Sequence, residues 1–251
     1  MPLARTRTTR RASAEIDRRD LPPLSPASLG QMSDVVQEPE RTLFRELEPF
    51  LTTRRLAPYL AAENGKEKLA LQLYQWNIEI SGAAQKALHV FEVVLRNAIE
   101  VQLSIWNAQQ IDRQSGTRFG RDWLLDPAPL LRRLIRQSEL DNARARADSA
   151  LRTHARAATH GDLLAQLSLG TWRFLLPDRD PRRKYLWEHA ISYAFPNLNR
   201  PVRQLVTSVD GIYRLRNRVA HLEPLLRSGT IRDQFTNMRT VIGEIDTTAE
   251  Q

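Results

Sequence analysis

The chain has 251 residues, 41% of them hydrophobic, enough for one well-buried core and little more than one domain. It contains no cysteine, which excludes disulfides, thiolate metal sites and cysteine nucleophiles. The 37 Lys and Arg outnumber the 29 Asp and Glu, leaving a net charge of +8 that attracts polyanions at low salt without any sequence preference. Only Lys66, Lys68, Lys86 and Lys184 are lysines, and an arginine-heavy surface fits genome composition as readily as phosphate recognition.

Residues 1–40 are rich in Arg, Ser, Thr and Pro and have no sustained apolar period, so little offsets their ordering entropy. The expectation is a disordered basic arm, since Glu15, Asp17 and Asp20 interrupt the acid-poor pattern of an organellar leader. Residues 41–246 then form the folded domain. Across 67–107 apolar residues recur every three or four positions (Leu69, Leu73, Trp76, Ile80, Ala84, Ala87, Phe91, Val94), which predicts a long helix with a candidate break at Ser81 and Gly82. Lys86, Glu92, Arg96, Asn97 and Glu100 interrupt its most apolar stretch, so no membrane span is expected and the protein reads as cytoplasmic.

Pro129 suits the first turn of a second helix over 129–156, whose later half is polar. Shorter helices are expected at 162–169, 182–194, 202–220 and 231–245, separated by Gly, Pro and Asn. In 165–176, AQLSLGTWRFLL, a helix is expected to stop, turn at Gly170 and bury Trp172. No segment alternates with period two, and the fold class is all-α.

Chemistry concentrates in residues 213–224, YRLRNRVAHLEP. Asn217 and His221 are four apart, share a helix face and can hydrogen bond, whereas Arg216 lies five before His221 and points about 140° away. One helix cannot close such a site alone. Glu223 precedes Pro224, so the helix should end around 220–222 with His221 in its last turn.

This run resembles the R-x4-H signature of the HEPN superfamily, and most closely its Abi-like (abortive infection) branch. Arg216, Asn217, Arg218, Ala220, His221, Glu223 and Pro224 match a pattern close to RNRxAHHEP, while Leu222 stands where that pattern has a second histidine. FEVVLRNAIE at 91–100, LSLGTWRFLL and YLWEHAI resemble further blocks of the family in the same order, so that the likeness covers roughly residues 60–240. The resemblance implies a HEPN-like helical bundle that homodimerises and brings two R-x4-H helices to one cleft. It further implies a metal-independent endoribonuclease of a phage-defence or toxin–antitoxin system, with RNA as substrate and an antitoxin protein as a possible partner, without cofactor or metal. Other family members only bind.

The residue types suit that reaction, because cutting RNA without metal needs a base for the 2′-proton, an acid for the leaving oxygen and positive charge for the phosphorane. His221 is the candidate acid or base, Arg216 the phosphate clamp and Asn217 the residue that orients the imidazole. Glu92, Arg96 and Asn97 share one helix, where Glu92 and Arg96 can pair and support the motif helix, as can Glu223. Arg144, Asp148, Arg152 and Arg156 repeat every four residues as a basic stripe, read either as a solvated face or, with Arg218, as a weak RNA track. His89, His154, His160 and His189 have no metal-ligand spacing and no assigned role. A non-catalytic RNA- or protein-binding module remains the alternative, and exposed apolar positions on the 67–107 helix would favour protein binding.

Overall fold

The computed structural model describes residues 48–152, 156–226 and 228–246, so the expected arm at 1–40 and His154 lie outside the described residues. The helices are α1 (Thr53–Ala62), α2 (Glu67–Gln109), α3 (Pro129–Leu134), α4 (Gln137–Ala150), α5 (His160–Gln166), α6 (Leu169–Leu175), α7 (Pro181–His189), α8 (Val202–Ala220) and α9 (Ser228–Ile245). Two 3-10 turns, Glu48–Phe50 and Ile191–Ala194, accompany them. Among the described residues there is no strand, only an isolated bridge between Ile111 and Arg118. No helix among them is long and apolar enough to cross a membrane. The chain divides within α1, between residues 57 and 58, and the packing below concerns residues 58–246.

Helix α2 is the axis of the bundle. Its 43 residues span about 65 Å at 1.5 Å per residue. Gly82 is exposed and helical, so the candidate break does not occur. One face buries Ala84, Leu88, Phe91, Leu95, Ile99 and Leu103 against α6, α8, α9 and the Ile191–Ala194 turn. The turn entering α2 uses Asn64 (φ 52°) and Gly65 (φ 77°), residue types that tolerate the left-handed region.

The expected 129–156 helix is two helices with a break at Ile135 and Arg136, because Leu131, Leu134, Ile135 and Leu140 must all reach the core, which one straight helix does not allow. Likewise 165–176 breaks at Leu167 and Ser168 rather than at Gly170. Gly170 sits inside α6, where a Cβ would lie 3.3 Å from the Tyr213 ring, so the glycine serves close packing against α8. Trp172 is fully buried as expected and meets the buried Trp123 edge-on at 6.4 Å. Helix α5 begins four residues after Arg156, at a capping box in which Thr159 and Asp162 bond each other's backbone N–H. His160 accepts from Leu124 N and donates Nε2–H to Glu100 at 3.2 Å, so this ring joins α5, α2 and the loop between α2 and α3.

Buried polar groups hold the ends of α2. Asn107, fully buried, donates to the carbonyls of Gly120 (2.8 Å) and Asp126 (3.0 Å) and accepts from Ala128 N (2.8 Å), fastening the 110–128 loop to the helix C-terminus. Near the other end, buried Asn77 accepts from Leu225 N at 2.6 Å. Asn107→Leu should lower the unfolding free energy by about 2–4 kcal/mol in urea titration, because an amide N–H and two carbonyls lose their partners together. A change below about 0.5 kcal/mol would contradict the role given to this side chain.

Candidate functional site

Helix α8 runs from Val202 to Ala220, as its apolar period and Pro224 lead one to expect, and buries Leu205, Val209, Ile212, Leu215 and Val219 along one stripe. His221 is its C-cap (φ −93°, ψ 8°), and Leu222 turns the chain through the left-handed region at φ 56°. Leu222 N donates to Val219 O (3.1 Å) and Glu223 N to Arg218 O (2.8 Å), the paired bonds of a Schellman ending. Glycine is the usual occupant of that position, and a leucine there costs roughly 1–2 kcal/mol of backbone strain. Its side chain gains little in return, being 62% exposed.

What holds the strained turn lies just beyond it. Arg218 donates to Pro224 O and pairs with Glu223 at 3.5 Å, while Asn77 on α2 takes the N–H of Leu225, itself buried. Arg218 is therefore engaged in the turn, through Pro224 O and Glu223. Glu223 meets the motif helix through Arg218. Asn77 escaped the sequence reading because a lone polar residue on a helical apolar face has no local signature.

Arg216 is half-buried and donates Nη1–H to Asn217 Oδ1 at 3.5 Å, a long bond. Asn217 thus faces the guanidinium. The expected Asn217–His221 side-chain bond is absent: His221 is exposed, and its ring has no hydrogen-bond partner among the described residues. The structure brings Arg216 and Asn217 together and leaves His221 free at the helix end.

The expected Glu92–Arg96 ion pair does not form. Arg96 bonds its neighbour Asn97 (3.2 Å), Asn97 is exposed, and no hydrogen bond or ion pair joins Glu92, Arg96 or Asn97 to Arg216, Asn217 or His221. The basic stripe is not one helix face either. Arg144 is exposed on α4, which ends at Ala150, so Arg152 lies past its end. Arg156 grips Asp162 through two bonds of 2.6 and 3.0 Å. Those bonds raise its pKa and, with the Thr159 hydroxyl and N–H, hold the Asp162 carboxyl well below the usual range. Among the described residues no three of His, Asp or Glu converge as a metal-binding group.

One further electrostatic link anchors the motif helix. Burial pushes the Asp210 carboxyl of α8 up, but bonds from Arg173 of α6 and Arg214 outweigh it, and the net pKa lies below the ordinary value. Arg173 also covers the Tyr213 ring at 5.5 Å. Compared with protein-family models, curated proteins and solved structures, the chain matches none.

Two outcomes follow from this geometry. Leu222→Gly should stabilise the fold by about 1 kcal/mol, less some unfolded-state entropy, raising the urea midpoint without changing the slope. A lowered midpoint would mean that the exposed leucine makes an undetected favourable contact. Because the folded Asp210 pKa is depressed, its stabilisation is present above the ordinary carboxylate pKa near 3.9 and is lost as pH falls through the lower folded value. Asp210→Asn should therefore be less stable than wild type at pH 6 and lose less further stability below pH 4, as read from thermal melts across that range.

Proposed function

We propose that this chain is a metal-independent endoribonuclease of Abi-like HEPN type, acting as a cytoplasmic homodimer in phage defence or a toxin–antitoxin pair. The observation that carries the reading is the solvent-facing imidazole of His221, without a hydrogen-bond partner among the described residues, at a helix end held by Arg218 and Asn77 just beyond a half-buried Arg216. In this reading His221 moves the proton at the ribose 2′-oxygen or at the leaving oxygen. Arg216 stabilises charge on the phosphorane, and Asn217, bonded to Arg216 Nη1, steadies the guanidinium. Since Arg216 and His221 diverge by about 140° on one helix, a second copy of α8 has to complete the cleft. An antitoxin protein would be a further partner.

A non-catalytic binding module is the second reading. It is favoured by the lack, among the described residues, of a side chain orienting His221 and by exposed apolar residues on α2, namely Leu69, Trp76, Ile78, Val90 and Val101.

Incubating purified protein with cellular RNA in EDTA separates the two. The nuclease reading expects products ending in 2′,3′-cyclic phosphate, no cutting of DNA, and a rate loss of about 10²–10⁴ for His221→Ala. Wild-type protein that is dimeric by light scattering yet cuts no RNA, or a His221→Ala variant that cuts at the wild-type rate, would refute it.

A further inference from the structure

The arginines committed to structure leave a distinct group uncommitted. Arg156, Arg173, Arg183, Arg200, Arg214 and Arg218 are all engaged in ion pairs. Beyond the C-terminal end of α2, by contrast, lies a cleft of about 700 Å³ edged by Arg113, Arg118, Arg132, Arg133 and Arg182. Among the described residues the guanidiniums of Arg113, Arg118 and Arg133 make no hydrogen bond or ion pair, and all three residues are exposed. Arg182 pairs with Asp180, and Arg132 donates to Pro127 O. Two carboxylates share the lining. Asp112 is occupied by Gln114 N and the Ser115 hydroxyl, and Asp126 is exposed. The cleft is thus net cationic, with three side chains free to take anionic oxygens.

Its rim also carries a flat aromatic surface. Tyr185 is stacked on His189 at 3.9 Å with planes 18° apart, and the residue is still 46% exposed, so one ring face is backed and the other is open. Uncommitted guanidiniums beside a backed aromatic face are the elements by which single strands are bound, phosphates by charge and bases by stacking. The frame is rigid: Arg113 and Arg118 stand on a turn closed by Asp112 N to Thr117 O and Gly116 N to Asp112 O, both 2.8 Å, and Asn107 fastens the following loop to α2. Most lining side chains are exposed, which does not suit a small ligand that must be largely enclosed.

We infer that this cleft binds a stretch of single-stranded RNA through its phosphodiesters and a stacked base, apart from the His221 end of the molecule. The choice of RNA over other polyanions rests on the function proposed above; the cationic, aromatic cleft does not. Trp106 at the cleft and Asn77 beside the motif turn are 29 residues apart on α2, about 44 Å. A strand stacked at about 3.4 Å per nucleotide would need roughly 13 nucleotides to cover that distance.

The test is fluorescence anisotropy of a labelled 20-nucleotide unstructured RNA, titrated at several salt concentrations against full-length protein carrying His221→Ala, so that binding is read whether or not the wild type cleaves. Adding Arg113→Gln, Arg118→Gln and Arg133→Gln should lower the slope of log K against log salt by about 2 and weaken binding about 100-fold at 0.1 M salt. Tyr185→Ala should weaken it about tenfold with the slope unchanged. The comparison protein removes the same charge elsewhere, through Arg203→Gln, Arg232→Gln and Arg239→Gln, all exposed on α8 and α9. Equal losses in the two triple variants would overturn the inference, since net charge alone would then explain them. So would an unchanged slope, or cleft-dependent binding of ATP but not of the RNA. Cleavage without cleft-dependent binding would sink this site alone, and binding without cleavage would sink the nuclease reading alone.

Discussion

The arrangement depends on buried asparagines accepting and donating hydrogen bonds from the sides of one long helix. Apolar burial along α2 explains why α6, α8 and α9 gather around it, but a greasy stripe is indifferent to small shifts along its length. Asn77 and Asn107 are not indifferent, because each must meet a particular backbone group or leave it stranded in a dry environment. Asn77 sets where the chain goes after the motif helix, and Asn107 sets the loop that carries two of the uncommitted arginines. The two regions with chemical potential are therefore located by the same device at opposite parts of one rod.

Much of this was legible in residue order. The apolar period of α8 and the Glu223–Pro224 pair mark where that helix stops, and the long period of α2 marks its length. Missing signals explain the rest. Nothing glycine- or proline-like stands at Ile135 and Arg136, where 129–156 breaks, because the break serves tertiary burial. Helix α1 contains Pro58, which argues against a helix on local grounds. The Thr159–Asp162 capping box was a readable start signal that helical period alone placed two residues late. Spacing pointed Asn217 at His221, and only the packed structure assigns it to the Arg216 guanidinium.

The arginine surplus carries a similar lesson. A net charge of +8 looks like one property, yet the guanidiniums divide into those that fasten helices and those that face solvent unpaired. Arg200 and Glu244 illustrate the first kind: with Ser208 and Asn237 they form a part-buried polar knot between α8, α9 and the segment before α8. Phe174, flanked by Arg136 at 5.8 Å and Arg183 at 4.5 Å, shows guanidiniums serving as flat packing surfaces. Counting charges predicts an electrostatic field; knowing which charges are spoken for locates where a polyanion can be held.

A leucine in left-handed geometry narrows the energy gap between the turn as it stands and any alternative in which Leu222 relaxes to negative φ. That gap shrinks by the strain already present, equivalent to roughly a tenfold bias or somewhat more. A molecule that grips the relaxed turn therefore begins with this advantage, and in relaxing it would carry the neighbouring imidazole to a new bearing. The glycine found at most such helix endings would give no comparable head start.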